Sequence, residues 1–277
     1  MEVKEGVDVL FGTKNESSNT YSSWSLAIPR EYTYYLKDGR RKIQVLQNDQ
    51  GKGELGSRLW AGGILFSDCL GVEKYFGVDY WRDKRVIEVG SGCGITGLVC
   101  SLHGANVLVT DKSVLVPLMR ENALRNGFGV VHDDGLANDV TLPPTEGNWE
   151  TVHNGRTVRV GGLEWGANIA SRHKHQYDVV LGCDVIYEVE GVDLLLATIA
   201  QLLRDDTSVA YISYAEPRYA CSFFLERATQ TFESVRVLSM VDDFGLSTEK
   251  CGKLTYFVDD NSVEGCKVIV LQRTRKK

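Results

Sequence analysis

From residue 84 to its end, the chain alternates between short, continuously apolar runs and longer stretches with apolar positions at helical spacing. The apolar runs predict strands at 85–89, 107–110, 179–182 and 208–213, and the longer stretches predict helices at 95–103, 114–126, 192–203 and 219–232. Strands that are apolar throughout and alternate with helices are typical of a parallel sheet covered on both faces. Two β-rich runs, 234–239 and 266–271, have only a polar loop between them and predict an antiparallel pair at the sheet edge.

The residues before this alternation predict a small appendage. Residues 32–46 hold two β-prone runs around an Asp-Gly pair, which is typical of a hairpin with a type I′ turn. Apolar spacing predicts a helix over 64–76. We therefore divide the chain into a tail and hairpin, residues 1–55, and an α/β domain, residues 56–277. Residues 132–158, with their Asp-Gly and Pro-Pro pairs, predict a surface insertion in that domain.

The composition limits the class of protein. With 277 residues, 43% of them hydrophobic and 25% charged, the chain has the composition of a globular protein with a full core. No apolar run is long enough for a membrane span, and the first residues lack the features of a signal peptide. The 7 scattered cysteines favour reduced thiols and a cytoplasmic or nuclear location. His173-Lys-His175 has no Cys or acid partners at metal spacing, so we expect no metal. The net charge of −6 argues against nucleic acid and fits a basic protein partner, and we expect a monomer.

One strand-to-helix turn in this pattern carries candidate chemistry. Glu88 lies near the end of its predicted strand, and Gly90, Gly92 and Gly94 follow at every second position. Asp111 ends the next strand, about 20 residues after Gly90, where an acid can accept bonds from both hydroxyls of a ribose. A turn without Cβ atoms lets a ligand lie against the backbone. These residues therefore predict a nucleoside-binding site.

The glycine turn is compatible with two cofactors. Gly92-x-Gly94-x-x-Gly97 satisfies the dinucleotide fingerprint, which is typical of NAD- or flavin-linked oxidoreductases. Glu88-x-Gly90-x-Gly92-x-Gly94 instead resembles the first motif of S-adenosylmethionine-dependent methyltransferases. A carboxylate at the strand end would repel a pyrophosphate, whereas it suits the ammonium group of a methionine. The turn favours the methyl donor, with an oxidoreductase and a non-binding structural turn as alternatives.

Two tryptophans lie where they can form walls of a nucleoside site. Trp60 comes just before the predicted helix 64–76, and Trp165 ends a β-prone run in the motif Leu163-Glu164-Trp165-Gly166. The flat apolar face of an indole suits a purine. An ordinary core position is the alternative for each tryptophan.

Polar residues follow the later strands of the predicted sheet. Asp184 and Tyr187 come directly after a strand whose C-terminal end opens into the crevice where α/β folds bind ligands. We expect them to capture substrate, and capping of the next element is the alternative for Asp184. Tyr214, Glu216 and Arg218 end the following strand and predict further substrate contacts, with an ordinary polar loop as the alternative.

Taken together, these motifs resemble the seven-strand protein methyltransferases of the methyltransferase-16 or lysine-methyltransferase-21-like family, over roughly residues 55–272. Four elements match in order, namely Gly56-x-x-x-Trp60, Glu88-Val-Gly-Ser-Gly-Cys-Gly94, Leu163-x-Trp165-Gly166 and Asp184-Val-Ile-Tyr187. Asn122 and Asn126 match as well, whereas the 132–158 insertion and Cys183, where relatives commonly carry alanine, depart from the family. The resemblance implies a class I, Rossmann-like α/β fold. Its seven strands would form a mostly parallel sheet with helices on both faces, preceded by the N-terminal β-hairpin.

The resemblance also implies roles for individual residues. S-adenosyl-L-methionine would be the cofactor, bound by Trp60, Glu88, Gly90, Ser91, Gly92, Gly94, Asp111, Lys112, Trp165 and Cys183. Asp184 and Tyr187 would be the catalytic residues that face the methyl group and the incoming amine. The implied reaction is methylation of a lysine in a cytosolic protein of the elongation factor or chaperone class. A small-molecule amine or nicotinamide N-methyltransferase, and a cofactor-binding module without turnover, are the alternatives.

Overall fold

A computed structural model describes residues 30–47, 55–133, 156–215, 219–250 and 265–273. The strands are β1 Glu31–Tyr35, β2 Lys42–Leu46, β3 Arg85–Val89, β4 Asn106–Asp111, β5 Gly129–His132, β6 Thr157–Gly162, β7 Val179–Cys183, β8 Val209–Tyr214, β9 Ser234–Ser239 and β10 Lys267–Gln272. The α-helices are α1 Ala61–Leu70, α2 Glu73–Phe76, α3 Ile95–Leu102, α4 Val116–Arg125, α5 Val192–Leu202 and α6 Tyr219–Thr231. Within these residues, no helix combines the length and the apolar character needed to cross a membrane.

The central sheet has the strand order β5-β6-β4-β3-β7-β8-β10-β9. Every neighbouring pair is parallel except the two pairs that include β10, which is therefore the single reversed strand. The order reverses between β3 and β7, since β4 and β6 lie on one side of β3 and all later strands on the other. This is the mostly parallel sheet of a class I methyltransferase fold, and the predicted fold class is confirmed.

The sheet has eight strands, one more than predicted, because β5 extends it beyond β6. The sequence pattern predicts no strand at 129–132. This segment is short and only partly buried, with Val131 half exposed. Its apolar run is too brief to stand out next to the polar residues that follow it in the sequence, so only its pairing with β6 defines it as a strand.

The helix predicted over 64–76 is divided into two. Helix α1 ends at Leu70 and α2 begins at Glu73, with Gly71 between them at the C-cap of α1. Glycine commonly stops a helix because it loses more backbone entropy there than other residues and caps the end readily. The apolar spacing continues through the break, and this is why the pattern alone reads as one helix.

The hairpin of β1 and β2 is present, but its turn is not the predicted type I′. A type I′ turn needs positive φ at both central residues, and of the Asp-Gly pair only Gly39 has one, at 63°. The Asp38 carboxylate instead accepts bonds from the backbone amides of Arg40 and Arg41. The loop is therefore longer and is closed by a bond between Leu36 N and Arg41 O.

Helices pack on both faces of the sheet and bury two apolar clusters. Alternate residues of β4 separate them, since Val107 and Val109 belong to one cluster and Leu108 to the other. The first cluster joins the sheet to α1, α3 and α4, and includes Ile43 and Val45 of the hairpin, each 1% exposed. The second joins the sheet to α5 and α6. The hairpin thus shares a core with the sheet, while the predicted division of the chain after residue 55 stays a prediction.

Candidate functional site

A cavity of about 470 Å³ opens at the carboxyl ends of β3, β4, β6 and β7. This is where an open α/β sheet binds ligands, at the point where its strand order reverses. Most of the residues predicted to act together line it, namely Trp60, Glu88, Gly90, Ser91, Gly92, Asp111, Lys112, Trp165, Cys183, Asp184 and Tyr187. Gly94 and Tyr214 do not line the cavity, and Glu216 and Arg218 lie outside the described residues.

The glycine turn after β3 has no room for side chains at Gly90 and Gly92, because neighbouring chain segments pack closely against it. Gly90 and Gly92 have φ of 63° and 55°, a region that other residues rarely adopt. A Cβ on Gly90 would lie 2.7 Å from Val185 Cγ1, and one on Gly92 would lie 2.7 Å from the carbonyl oxygen of Gly56. The glycines therefore serve close packing inside the protein as well as ligand access. Gly94, with φ of 83°, is the N-cap residue of α3.

Glu88 is buried at the base of the cavity and binds the first turn of α3. Its Oε2 accepts a bond of 2.9 Å from the Gly97 amide, although the residue is only 1% exposed. Gly97 is the third residue of α3, so this amide has no partner within the helix. A Cβ on Gly97 would collide with Val109, so this glycine serves helix–strand packing. The carboxylate thus occupies the helix end where a pyrophosphate would bind, which disfavours the dinucleotide alternative.

The buried position of Glu88 leads to a prediction for Glu88→Gln. Burial raises the pKa of this carboxyl from 4.5 to about 7, although the Gly97 amide opposes the shift. The folded protein therefore keeps the proton that the unfolded chain releases near pH 4.5. The contribution of Glu88 to the free energy of unfolding should be full below that pH and should be lost as the pH rises to about 7. One pKa unit corresponds to about 1.4 kcal/mol, so the change should be on the order of 3 kcal/mol.

Urea unfolding of both proteins at pH 5 and pH 7.5 checks this prediction. The Glu88→Gln variant keeps an oxygen for the Gly97 amide but has no proton to release, so its stability should fall less than that of the wild type. Parallel profiles of the two proteins would contradict it.

Two backbone amides hold the Asp111 carboxylate next to the glycine turn. Its Oδ2 accepts a bond of 2.7 Å from Gly92 N, and its Oδ1 accepts one of 2.7 Å from Lys112 N. The carboxylate also lines the cavity, where a ligand can reach it. Ser91 fixes the same turn to β4, because its hydroxyl donates to Glu88 O and accepts from Thr110 N. The carboxylate is thereby oriented before a ligand arrives.

Asp184 caps the N-terminus of α1, although Gly62, whose amide it binds, lies 122 residues earlier in the chain. Its Oδ2 accepts a bond of 2.6 Å from Gly62 N, and its Oδ1 accepts one of 3.2 Å from Ala215 N. Gly62 is the second residue of α1, whose N-cap residue Trp60 provides no side-chain cap. The capping alternative considered for Asp184 therefore holds for α1 and not for the next element. Asp184 also has φ of 53° and lines the cavity, so one carboxylate serves both the helix and the site.

Three aromatic side chains form walls of the cavity. Trp60 donates from Nε1 to Leu55 O at 3.1 Å, which turns its ring onto the segment before α1. Trp165 and Tyr187 lie with ring centroids 6.1 Å apart at an angle of 46°. Both tryptophans are half-buried and line the cavity, and neither belongs to the fully buried core.

Cys183 lines the cavity beside Thr96, with Sγ and Oγ1 3.4 Å apart. Burial raises the pKa of the thiol, and the nearby Glu88 adds to the effect. A protonated thiol is a poor nucleophile, so Cys183 is suited to packing and not to covalent chemistry. The described residues contain no group of three or more His, Cys, Asp or Glu side chains that could hold a metal ion.

The structure places Tyr214 away from the predicted substrate contacts. The residue is 7% exposed and packs in the cluster of α5 and α6, where burial raises its pKa to about 12. The preceding residue, Ser213, supports the site instead, because its carbonyl accepts a bond from Asp184 N and its hydroxyl donates to Gly62 O. Strand alternation sends neighbouring side chains to opposite faces, so Tyr214 lies on the side of α5 and α6 and Ser213 on the side of α1.

Several lining residues were not predicted. They include Leu55, Arg58, Leu115, Glu164, Glu188, Glu190 and Leu194. Glu164, Glu188 and Glu190 are exposed, and within the described part of the chain their side chains make no hydrogen bond or ion pair. Glu164 and Glu188 stand next to Trp165 and Tyr187 in sequence, and this adjacency was the available signal. The inner carboxylates are thus bound to backbone amides, whereas these outer ones are open to solvent.

A family model described as lysine methyltransferase matches residues 40–142 and 137–231. The chain belongs to this lysine methyltransferase family. The family predicted from the sequence motifs is therefore confirmed, and at the level of the family so is S-adenosylmethionine as the methyl donor.

Individual relatives are similar over the same region. The zebrafish (Danio rerio) protein N-lysine methyltransferase METTL21A is 33% identical over 166 residues, which is 59% of this chain and 63% of that protein. The mouse (Mus musculus) EEF1A lysine methyltransferase 3 is 29% identical over 188 residues, 67% of each protein. The Xenopus tropicalis EEF1A lysine methyltransferase 3 is 26% identical over 203 residues, 73% of this chain and 77% of that protein. The chain thus spans somewhat less than two thirds of the zebrafish protein.

Proposed function

We propose that the protein is an S-adenosylmethionine-dependent protein N-methyltransferase that methylates a lysine side chain. The observation that carries this proposal is the position of Asp184. Its carboxylate is oriented by the amides of Gly62 and Ala215 and lines the same cavity as the glycine turn and Asp111. The residues that would bind the nucleoside and the carboxylate that would accept the amine therefore line one cavity. Transfer of a methyl group from a bound nucleoside to an amine requires such an arrangement.

The residues of the glycine turn fit the cofactor. Asp111 lines the cavity and would accept hydrogen bonds from the two ribose hydroxyls, and Trp60 and Trp165 offer flat apolar surfaces for a purine. Glu88 lies at the base of the cavity, and a cationic methionine end bound beside it would favour the ionised form of its carboxyl. Bound there, S-adenosylmethionine would supply an electrophilic methyl group on a positively charged sulfur.

The remaining residues suit an amine acceptor. A free lysine has a pKa of about 10.4 and is almost wholly protonated at neutral pH, so its ammonium must lose a proton before it can attack. Desolvation in the cavity and a neighbouring positive charge both lower that pKa. Asp184 would accept a hydrogen bond from the amine and align it, and Tyr187 would offer its ring or hydroxyl to the same group.

A protein target of basic character fits the charge of the site. The open carboxylates of Glu164, Glu188 and Glu190 outnumber the nearby cations Arg58 and Lys112, and the chain carries a net charge of −6. Two relatives are named for the elongation factor EEF1A, and this favours the elongation factor or chaperone class as target. We further propose that the protein acts as a monomer in the cytoplasm, without nucleic acid.

Incubation of the protein with radiolabelled S-adenosylmethionine and a cell lysate tests this function. We expect label in one or a few protein bands, in methyl-lysine after hydrolysis, and none when excess S-adenosylhomocysteine is added. Purified elongation factor 1A as the only acceptor gives the sharper form of the assay. Label confined to the low-molecular-weight fraction would instead support a small-molecule N-methyltransferase. Binding of S-adenosylhomocysteine without any labelled product would support a module without turnover.

A further inference from the structure

The outer edge of strand β2 is completed by two asparagine side chains in place of a neighbouring strand. Asn126 accepts a bond from Gln44 N and donates one to Gln44 O, both at 2.7 Å. Asn122 does the same for Leu46, accepting from its N at 2.7 Å and donating to its O at 3.0 Å. Asn122 lies on α4 and is 0% exposed, and Asn126 is the C-cap residue of α4 and is 4% exposed. Each side chain thus fastens the hairpin to the domain through the N–H and the C=O of one β2 residue.

The two asparagines differ in their remaining hydrogen bond. The second amide hydrogen of Asn122 goes to the carbonyl of Cys93, at 3.0 Å, whereas that of Asn126 goes back to its own helix at Asn122 O. Cys93 lies between the last two glycines of the turn and lines the cavity. Asn122 is therefore the residue that joins the hairpin and the glycine turn directly.

The end of β2 also reaches the opposite wall of the cavity. Gln47, the residue after β2, accepts a bond of 2.7 Å from Leu59 N, and Leu59 lines the cavity next to Trp60. The segment before α1 in turn crosses the glycine turn closely, since the Gly56 carbonyl occupies the space that a Cβ on Gly92 would need. One strand of the hairpin is thus bonded, through two buried amide side chains, to both walls between which a nucleoside would lie.

We propose that the hairpin is a positioning element of the cofactor cavity, and that Asn122 is the positioning residue that sets the glycine turn through Cys93 O. The inference rests on the proposed function in so far as the cavity binds S-adenosylmethionine. A flexible turn must be ordered when ligand binds, and a turn already held in place avoids that cost. Loss of the Asn122 bond should therefore weaken cofactor binding and leave the chemical step almost unchanged.

Asn122→Ala and Asn126→Ala form a matched pair for the test. Each variant removes two hydrogen bonds to the hairpin, but only Asn122→Ala also removes the bond to Cys93 O in the glycine turn. Calorimetry with S-adenosylhomocysteine should give a Kd about tenfold higher for Asn122→Ala than for Asn126→Ala, while thermal unfolding shifts both Tm values by similar amounts. With a methylated acceptor in hand, KM for S-adenosylmethionine should rise in Asn122→Ala with kcat within about twofold of wild type. Hydrogen exchange should increase at the turn in that variant alone.

Equal Kd values in the two variants would overturn the inference. If Asn122→Ala does not fold, Asn122→Ser, which keeps one hydroxyl for the β2 edge but is too short to hold Cys93 O as well, takes its place with the same expected difference. Wild-type protein that binds S-adenosylhomocysteine but methylates no lysine would contradict the proposed function and leave this inference standing. Wild-type protein that does not bind S-adenosylhomocysteine would overturn both.

Discussion

Asp184→Asn is expected to lower kcat for lysine methylation by at least about a hundredfold while the protein remains folded. Asparagine tolerates the positive φ of 53° and keeps one oxygen for the Gly62 amide, so most of the helix cap is preserved. It loses the negative charge, and its amide group would face the Ala215 amide, a donor opposite a donor. The amine acceptor would lose its charged hydrogen-bond acceptor at the reacting end of the cavity. Single-turnover methylation with saturating cofactor measures this loss.

Asp184→Ala provides the comparison that separates catalysis from folding. It leaves the Gly62 and Ala215 amides without their acceptor, at roughly 1–3 kcal/mol for each group that stays unsatisfied. Alanine also disfavours the left-handed backbone. This variant should therefore lose both activity and several degrees of Tm. If Asp184→Asn methylates within about threefold of wild type and only Asp184→Ala fails, Asp184 is a cap of α1 and not a catalytic residue.

Gly92→Ala is expected to raise the Kd for S-adenosylhomocysteine by about a hundredfold or more. The added Cβ would lie 2.7 Å from the carbonyl oxygen of Gly56, a backbone atom that can move only with its whole segment. That segment carries Leu55 and Trp60, which line the cavity, so its displacement opens the wall of the nucleoside end. The Gly92 amide that orients Asp111 would shift as well. Calorimetric titration of the purified variant measures the change in Kd.

Gly39→Ala is the matched control, because it has the same backbone strain without the collision. Gly39 has φ of 63°, close to the 55° of Gly92, and a Cβ there would meet nothing within 4 Å. Both variants should lose stability to the unfavourable φ, by roughly 1 kcal/mol. Only Gly92→Ala should lose cofactor affinity. Comparable Kd values for the two variants would show that the contact between Gly56 and Gly92 is unimportant for the site.

Much of the fold follows from local pattern. Strands β3 and β9 begin and end at the predicted residues. Their β-branched residues mark both as strands, although β3 is almost wholly buried and β9, at the sheet edge, is only partly buried. The extra strand β5 could not be found in this way. It is short and partly exposed, and it pairs with β6, a strand that follows the predicted insertion in sequence.

The sequence by itself determined which backbone positions would form the cavity. In a parallel sheet all carboxyl ends meet at one edge, so the acids and glycines that follow β3, β4 and β7 had to come together. This held for Glu88, Asp111 and Asp184, since each could be placed from its strand alone.

Only the tertiary structure decided what these side chains do besides face the cavity. Asp184 caps α1, Glu88 binds the first turn of α3, and Asn122 joins the hairpin to the glycine turn. Their partners are backbone amides and carbonyls, which every residue carries and which no sequence pattern marks. The three-dimensional packing of helices and turns against the sheet determines which of these groups lies within hydrogen-bonding distance.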